Sequence, residues 1–93
     1  MVDFLVHKKG DYVGVATTDL KKGIVAQGWT VDKDFNYQIE VLEDIPLGHK
    51  IALRDIKGGE KVIEYGETIG VATKDIKMGE HVHVHNIKSL KWG

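Results

Sequence analysis

The segment His81-Val82-His83-Val84-His85 alternates imidazole with isopropyl side chains and is followed by Asn86. Imidazole changes charge near neutral pH, and its ring nitrogens are common metal ligands. On an extended strand successive side chains point to opposite faces. The three rings then share one face at intervals of about 7 Å, while Val82 and Val84 are buried on the other. Two chemistries suit such a face: divalent-metal binding by His81, His83 and His85, and proton transfer, for which His83 and His85 are candidates. A single ion held by all three is awkward, because the outer pair on a straight strand lie roughly 13 Å apart. A division in which one or two rings bind metal or substrate, and the rest are structural or at a subunit seam, is easier to build. A half-exposed polar strand face would carry the same residues without chemistry.

Gly48-His49-Lys50 is a second candidate, just past a turn, where an imidazole and an ammonium can reach a shared cleft. His49 is its catalytic candidate and Lys50 its anion-binding one. His7 reads as structural or incidental. No carboxylate stands at metal-ligand spacing beside the histidines, and Glu80 alternates to the wrong face.

The elements that position these residues follow a repeated grammar. Asp19-Leu20-Lys21-Lys22-Gly23, Asp44-Ile45-Pro46-Leu47-Gly48, Asp55-Ile56-Lys57-Gly58-Gly59 and Asp75-Ile76-Lys77-Met78-Gly79 each follow or precede a short apolar run. This reads as strand, tight turn, strand: Asp accepts hydrogen bonds from turn backbone and Gly takes positive φ. Pro46 suits a turn and would break an internal strand. The copies are too few and unequal for a solenoid. Residues 37–43 alternate at period two, residues 24–31 read as a strand with a turn at 32–36, and residues 61–66 as strand into turn. No segment carries a sustained helical stripe with caps. The expectation is one small all-β domain over residues 1–93, with residues 87–93 as a tail that either straps its own core or docks a partner through Trp92.

Composition narrows the function. Thirteen basic against fourteen acidic residues give a net charge of -1, which offers no long-range pull on a nucleic acid. The absence of cysteine excludes disulfides, thiolate zinc sites and a cysteine nucleophile. No apolar run reaches the roughly 18 residues that span a bilayer. The start lacks the basic region and long apolar core of a secretory signal. The expectation is a cytoplasmic protein without nucleic-acid or membrane partners. A chain of 93 residues has little room for a deep private active site.

Three ordered motifs, Asp44 to Leu53, Tyr65-Gly66-Glu67-Thr68-Ile69-Gly70, and Gly79-Glu80 followed by the histidine run to Asn86, resemble the N-terminal SAF domain of altronate and galactarate dehydratases. The resemblance covers nearly the whole chain and implies a β-clip fold. The chain is also similar to the small subunits of split members, among them those of (2R)-sulfolactate sulfo-lyase and altronate dehydratase. It resembles these through residues 4–7, Gly10-Asp11, Val13-Gly14-Val15, Asn86-Ile87-Lys88 and Trp92. What the resemblance implies is a lyase subunit that needs a separately encoded large catalytic subunit, with room for a higher oligomer. The reaction implied is β-elimination from an anionic 2-hydroxy acid, releasing sulfite or water and leaving a 2-keto acid. A divalent metal, Fe2+ above others, would stabilise the charge that develops beside the carboxylate. His81, His83, His85 and Asn86 match the family's histidine motif, which makes Asn86, with Lys50, a substrate-binding candidate. Two other classes stay open: a SAF-type module that binds a sugar acid without catalysis, and a free-standing small metalloenzyme.

Overall fold

The computed structural model describes residues 2–89. The described residues form nine strands: β1 (Phe4–Val6), β2 (Val13–Ala16), β3 (Val25–Thr30), β4 (Asn36–Glu40), β5 (Lys50–Ala52), β6 (Lys61–Glu64), β7 (Glu67–Ala72), β8 (His81–Val82) and β9 (Ile87–Ser89). Among the described residues there is no helix, and none long and apolar enough to cross a membrane. The all-β expectation is borne out.

Six strands form one sheet in the order β4-β3-β1-β2-β5-β8, and three form a second, β6-β7-β9. β1 and β3 run parallel and every other pairing is antiparallel. Two apolar clusters follow from the period-two patterning. Phe4, Val6, Leu20, Ile39, Ile45 and Ile51 belong to the first, and Val13, Ala52, Ile56, Val62, Ile76 and Val82 to the second. Neighbours on β5, Ile51 and Ala52, enter different clusters because successive side chains point to opposite faces. That strand is therefore buried on both sides and fixes the position of whatever leaves its ends. The close approach of β1 and β3 requires Gly28, where a Cβ would lie 2.2 Å from the Phe4 ring.

The repeated turns are a bracket device. Leu20 pairs with Ile45, and Ile56 with Ile76, as isolated antiparallel bridges. In each bracket the aspartates cap the opposite turn, not their own. Leu47 N donates to Asp19 Oδ1 (2.8 Å) and Lys22 N to Asp44 Oδ1 (2.9 Å). Met78 N donates to Asp55 Oδ1 (2.9 Å) and Gly58 N to Asp75 Oδ1 (2.8 Å). The expected local Asp–turn bond is thus a reciprocal long-range one, which explains why the motif recurs in pairs. The expected positive φ is present at the closing glycine of all four turns: Gly23, Gly48, Gly59 and Gly79. The last is also sterically committed, since a Cβ on Gly79 would lie 2.1 Å from the Glu40 carbonyl oxygen.

Candidate functional site

Two of these turns deliver the histidines to one place. Gly48 releases the chain into His49 and β5, and Gly79 releases it into β8. Because β5 pairs antiparallel with β8, in register Lys50↔Val82 and Ile51↔His81, the two segments named from sequence become neighbours. His49 Nδ1 lies 2.9 Å from His81 Nε2. The His49 ring stacks on His83 with centroids 4.3 Å apart. One ring nitrogen from each of His49, His81 and His83 lies within 4.8 Å of the others.

The straight histidine ladder is not what the chain builds. β8 ends at Val82, and residues 83–86 turn back before β9 begins. The cause is Asn86, whose side chain offers the backbone an alternative to the strand ladder. Its Oδ1 accepts from His83 N (2.9 Å) and its Nδ2 donates to the His81 carbonyl (2.8 Å). Asn86 is only 3 % exposed, and both ends of its amide are engaged in fixing the histidine backbones. Val84, expected in the core, is 80 % exposed at the tip of this turn. The turn also undoes the even spacing, bringing the His81 and His85 rings to 5.1 Å between centroids.

Several placements went unread in the sequence. His49 joins His81 and His83 as the compact trio, while His85 stands beside His81 as a fourth ring. Glu43 accepts the His81 backbone N–H through Oε1 at 2.8 Å. Glu80 Oε1 accepts from Lys77 N, closing its own turn. Lys50 Nζ lies 3.8 Å from Glu64 Oε1. Residues 87–89, expected in a tail, form β9 against β7; Trp92 lies outside the described residues.

Electrostatics favour the neutral form of His81 and His83. Burial first, then the neighbouring rings of His49, His85 and His83, lower the pKa of His81, against a smaller raising effect of Glu43. Desolvation, then His49, His85 and Lys50, lower that of His83. A neutral imidazole is the form that ligates a metal or accepts a proton. The 2.9 Å contact between His49 and His81 requires one of the two nitrogens to carry a proton. A shared cation would need both lone pairs, which are free only in the tautomers that carry their protons on the other ring nitrogens. Metal–nitrogen bonds of about 2.0–2.1 Å place cis and trans donors about 3–4.2 Å apart, a span close to the 4.8 Å within which the three ring nitrogens lie. His49 and His81 are half-buried and His83 is exposed, so the cluster lies open at the protein surface.

Residues 2–90 match the altronate/galactarate dehydratase SAF domain family, and the chain belongs to it. It is 45 % identical over 92 residues to the alpha subunit of (2R)-sulfolactate sulfo-lyase from Chromohalobacter salexigens, covering 98 % of each chain. It is 43 % identical over 89 residues to altronate dehydratase from Bacillus subtilis, covering 96 % of this chain and 17 % of that enzyme. A galactarate dehydratase from Escherichia coli is 39 % identical over 72 residues, which are 14 % of its length.

Proposed function

We propose that this chain is the small subunit of a two-chain lyase that eliminates sulfite from (2R)-sulfolactate. The observation that carries the reading is the open three-histidine cluster, on a chain that matches a sulfo-lyase alpha subunit along almost its whole length. A solvent-open cluster on so small a domain needs walls from elsewhere to exclude water, and a large subunit would supply them.

His49, His81 and His83 are the residues we assign to a divalent ion, with Fe2+ the ion expected. When bound, such an ion supplies a Lewis acid for the negative charge that develops next to the substrate carboxylate. The chain's own residues do the rest. His85, the exposed ring beside His81, is the proton acceptor that this chain can offer. Asn86 holds the histidine backbones in place. Removal of the proton from the hydroxyl-bearing carbon and cleavage of the adjacent carbon–sulfur bond release sulfite and leave an enol, which becomes pyruvate.

The paired turns support the β-clip assignment, and a cysteine-free chain using ferrous iron suits the reducing cytoplasm. The altronate dehydratase match supports a second substrate, a sugar acid losing water at the same site. The test is co-purification with the large subunit and a parallel assay on sulfolactate, altronate and galactarate with ferrous iron. Sulfite and pyruvate formed only by the two chains together are expected. A keto-deoxy sugar acid would move the assignment to the dehydratases, and submicromolar sugar-acid binding by the single chain without turnover to a binding module.

A further inference from the structure

β8 is two residues long and is the last strand of its sheet, so β5 pairs with one side of it alone. Such an edge is held by few bonds and opens easily unless something meets its outer peptide groups. At His81 two side chains do. Its N–H donates to Glu43 Oε1 at 2.8 Å, and its carbonyl accepts from Asn86 Nδ2 at 2.8 Å. The two bonds differ in what they connect. Asn86 closes a turn within the histidine segment itself, whereas Glu43 reaches His81 from 38 residues away along the chain.

Glu43 also stands where the turn to His49 begins. Glu43-Asp44-Ile45-Pro46-Leu47-Gly48-His49 is one continuous run, and its first side chain bonds the backbone that carries His81. The reach depends on glycine. Leu42 N donates to the Gly79 carbonyl at 2.9 Å. A Cβ on Gly79 would lie 2.1 Å from the Glu40 carbonyl oxygen and 3.2 Å from Leu42 Cγ. Residues 40–43 can therefore lie close against residues 79–81. Half-buried Glu43 is the carboxylate left for His81, since Asp44 accepts from Lys22 N and Glu80 from Lys77 N. A carboxylate accepting an N–H makes a charge-assisted bond, stronger than a neutral one.

An imidazole turns about χ1 and χ2 in staggered steps, so the place where its Cα is held decides which rings it can meet. His81 meets His49, with ring centroids 5.0 Å apart. We propose that Glu43 is a positioning residue: its bond to the His81 backbone ties the turn that delivers His49 to the strand that carries His81, and so holds the two rings close enough to share one divalent ion. The ion rests on the metal assignment above. Outer partners of this kind orient ligands without touching the metal.

Two measurements decide it, and glutamine separates the hydrogen bond from the charge, since it keeps an acceptor oxygen at the same reach. The first is NMR of the isolated chain without metal. In Glu43→Ala the His81 amide is expected to exchange about tenfold faster, the scale of one lost bond to a charged acceptor, and the NOEs between the His49 and His81 rings are expected to be lost. Glu43→Gln is expected to keep those NOEs. The second is titration with Co2+. Glu43→Ala is expected to weaken binding about tenfold or more, and Glu43→Gln by no more than about threefold, the scale of a partly exposed charge pair. A merely structural Glu43 would lower the urea midpoint of the Ala variant and leave the ring NOEs and Co2+ affinity unmoved. If that variant does not fold, Glu43→Asp, which shortens the reach by one methylene, is read the same way. Unchanged ring NOEs in the folded variant, or a Gln variant as weak as Ala, overturns the proposal. A wild-type chain that shows the NOEs and takes up no Co2+ counts against the metal assignment, while the NMR still decides the Glu43–His81 link.

Discussion

His49 Nδ1 and His81 Nε2 meet at 2.9 Å although 32 residues separate them along the chain. The contact exists because two glycine turns feed two strands that pair antiparallel, and it makes one site out of two unrelated-looking sequence fragments. The isolated chain should therefore bind one divalent ion through His49, His81 and His83. Titration with Co2+, followed by its ligand-field absorption, should show one site. His49→Ala or His83→Ala should weaken it about tenfold or more, the scale of losses around a metal site, and His85→Ala should weaken it far less. A His85→Ala variant that loses binding while His49→Ala keeps it would restore the ladder.

Acid should weaken both the fold and the site. His81 and His83 titrate below the ordinary imidazole value of 6.5, so the unfolded chain takes up protons first as pH falls. Stability that depends on these neutral rings is complete above about pH 6.5 and declines below it, until the folded-state values are passed. The urea midpoint should be lower at pH 5.5 than at pH 7.5. A double variant with Asn at both positions should show a shallower dependence. Equal or higher stability in acid for the wild-type chain would contradict the assignment.

The reciprocal caps should carry measurable stability. Asp55→Ala removes the acceptor for Met78 N, and Asp75→Ala removes the one for Gly58 N. Each should cost about 1 kcal/mol in denaturant unfolding. Gly79→Ala should cost about 2–3 kcal/mol or prevent folding, since it combines positive φ with a clash at the Glu40 carbonyl.

Val84 separates the two pictures of the histidine segment. Burial in a continuous strand would make Val84→Ala cost roughly 1–3 kcal/mol. At 80 % exposure the change should stay within about 0.5 kcal/mol. Thermal denaturation of this variant tells them apart.

The strands and turns could be read from sequence because they are local: period-two patterning marks Asn36–Glu40, and Asp with Gly four residues on marks every bracket turn. The pairings could not. Nothing within reach of Gly48 indicates that Lys50 will face Val82, or that Asp19 will cap Leu47. The histidine ladder failed for a local reason that competes with patterning. Asn86 closes a side-chain turn on His83, and three residues of apparent strand fold back. Glu43 carried no sequence signal, since its bond to His81 depends on the close packing of Glu40 and Leu42 against Gly79.

We assign His49, with His81 and His83, to the working centre of a lyase completed by a second chain. The most direct measurement is 2-keto acid formation from sulfolactate by the ferrous-loaded two-chain complex, comparing the wild-type chain with His49→Ala. Turnover is expected only when both chains are present, with a loss of about 100-fold or more in the variant, the scale for removing a stabiliser of developing charge. Turnover by a complex carrying His49→Ala at the wild-type rate would contradict it.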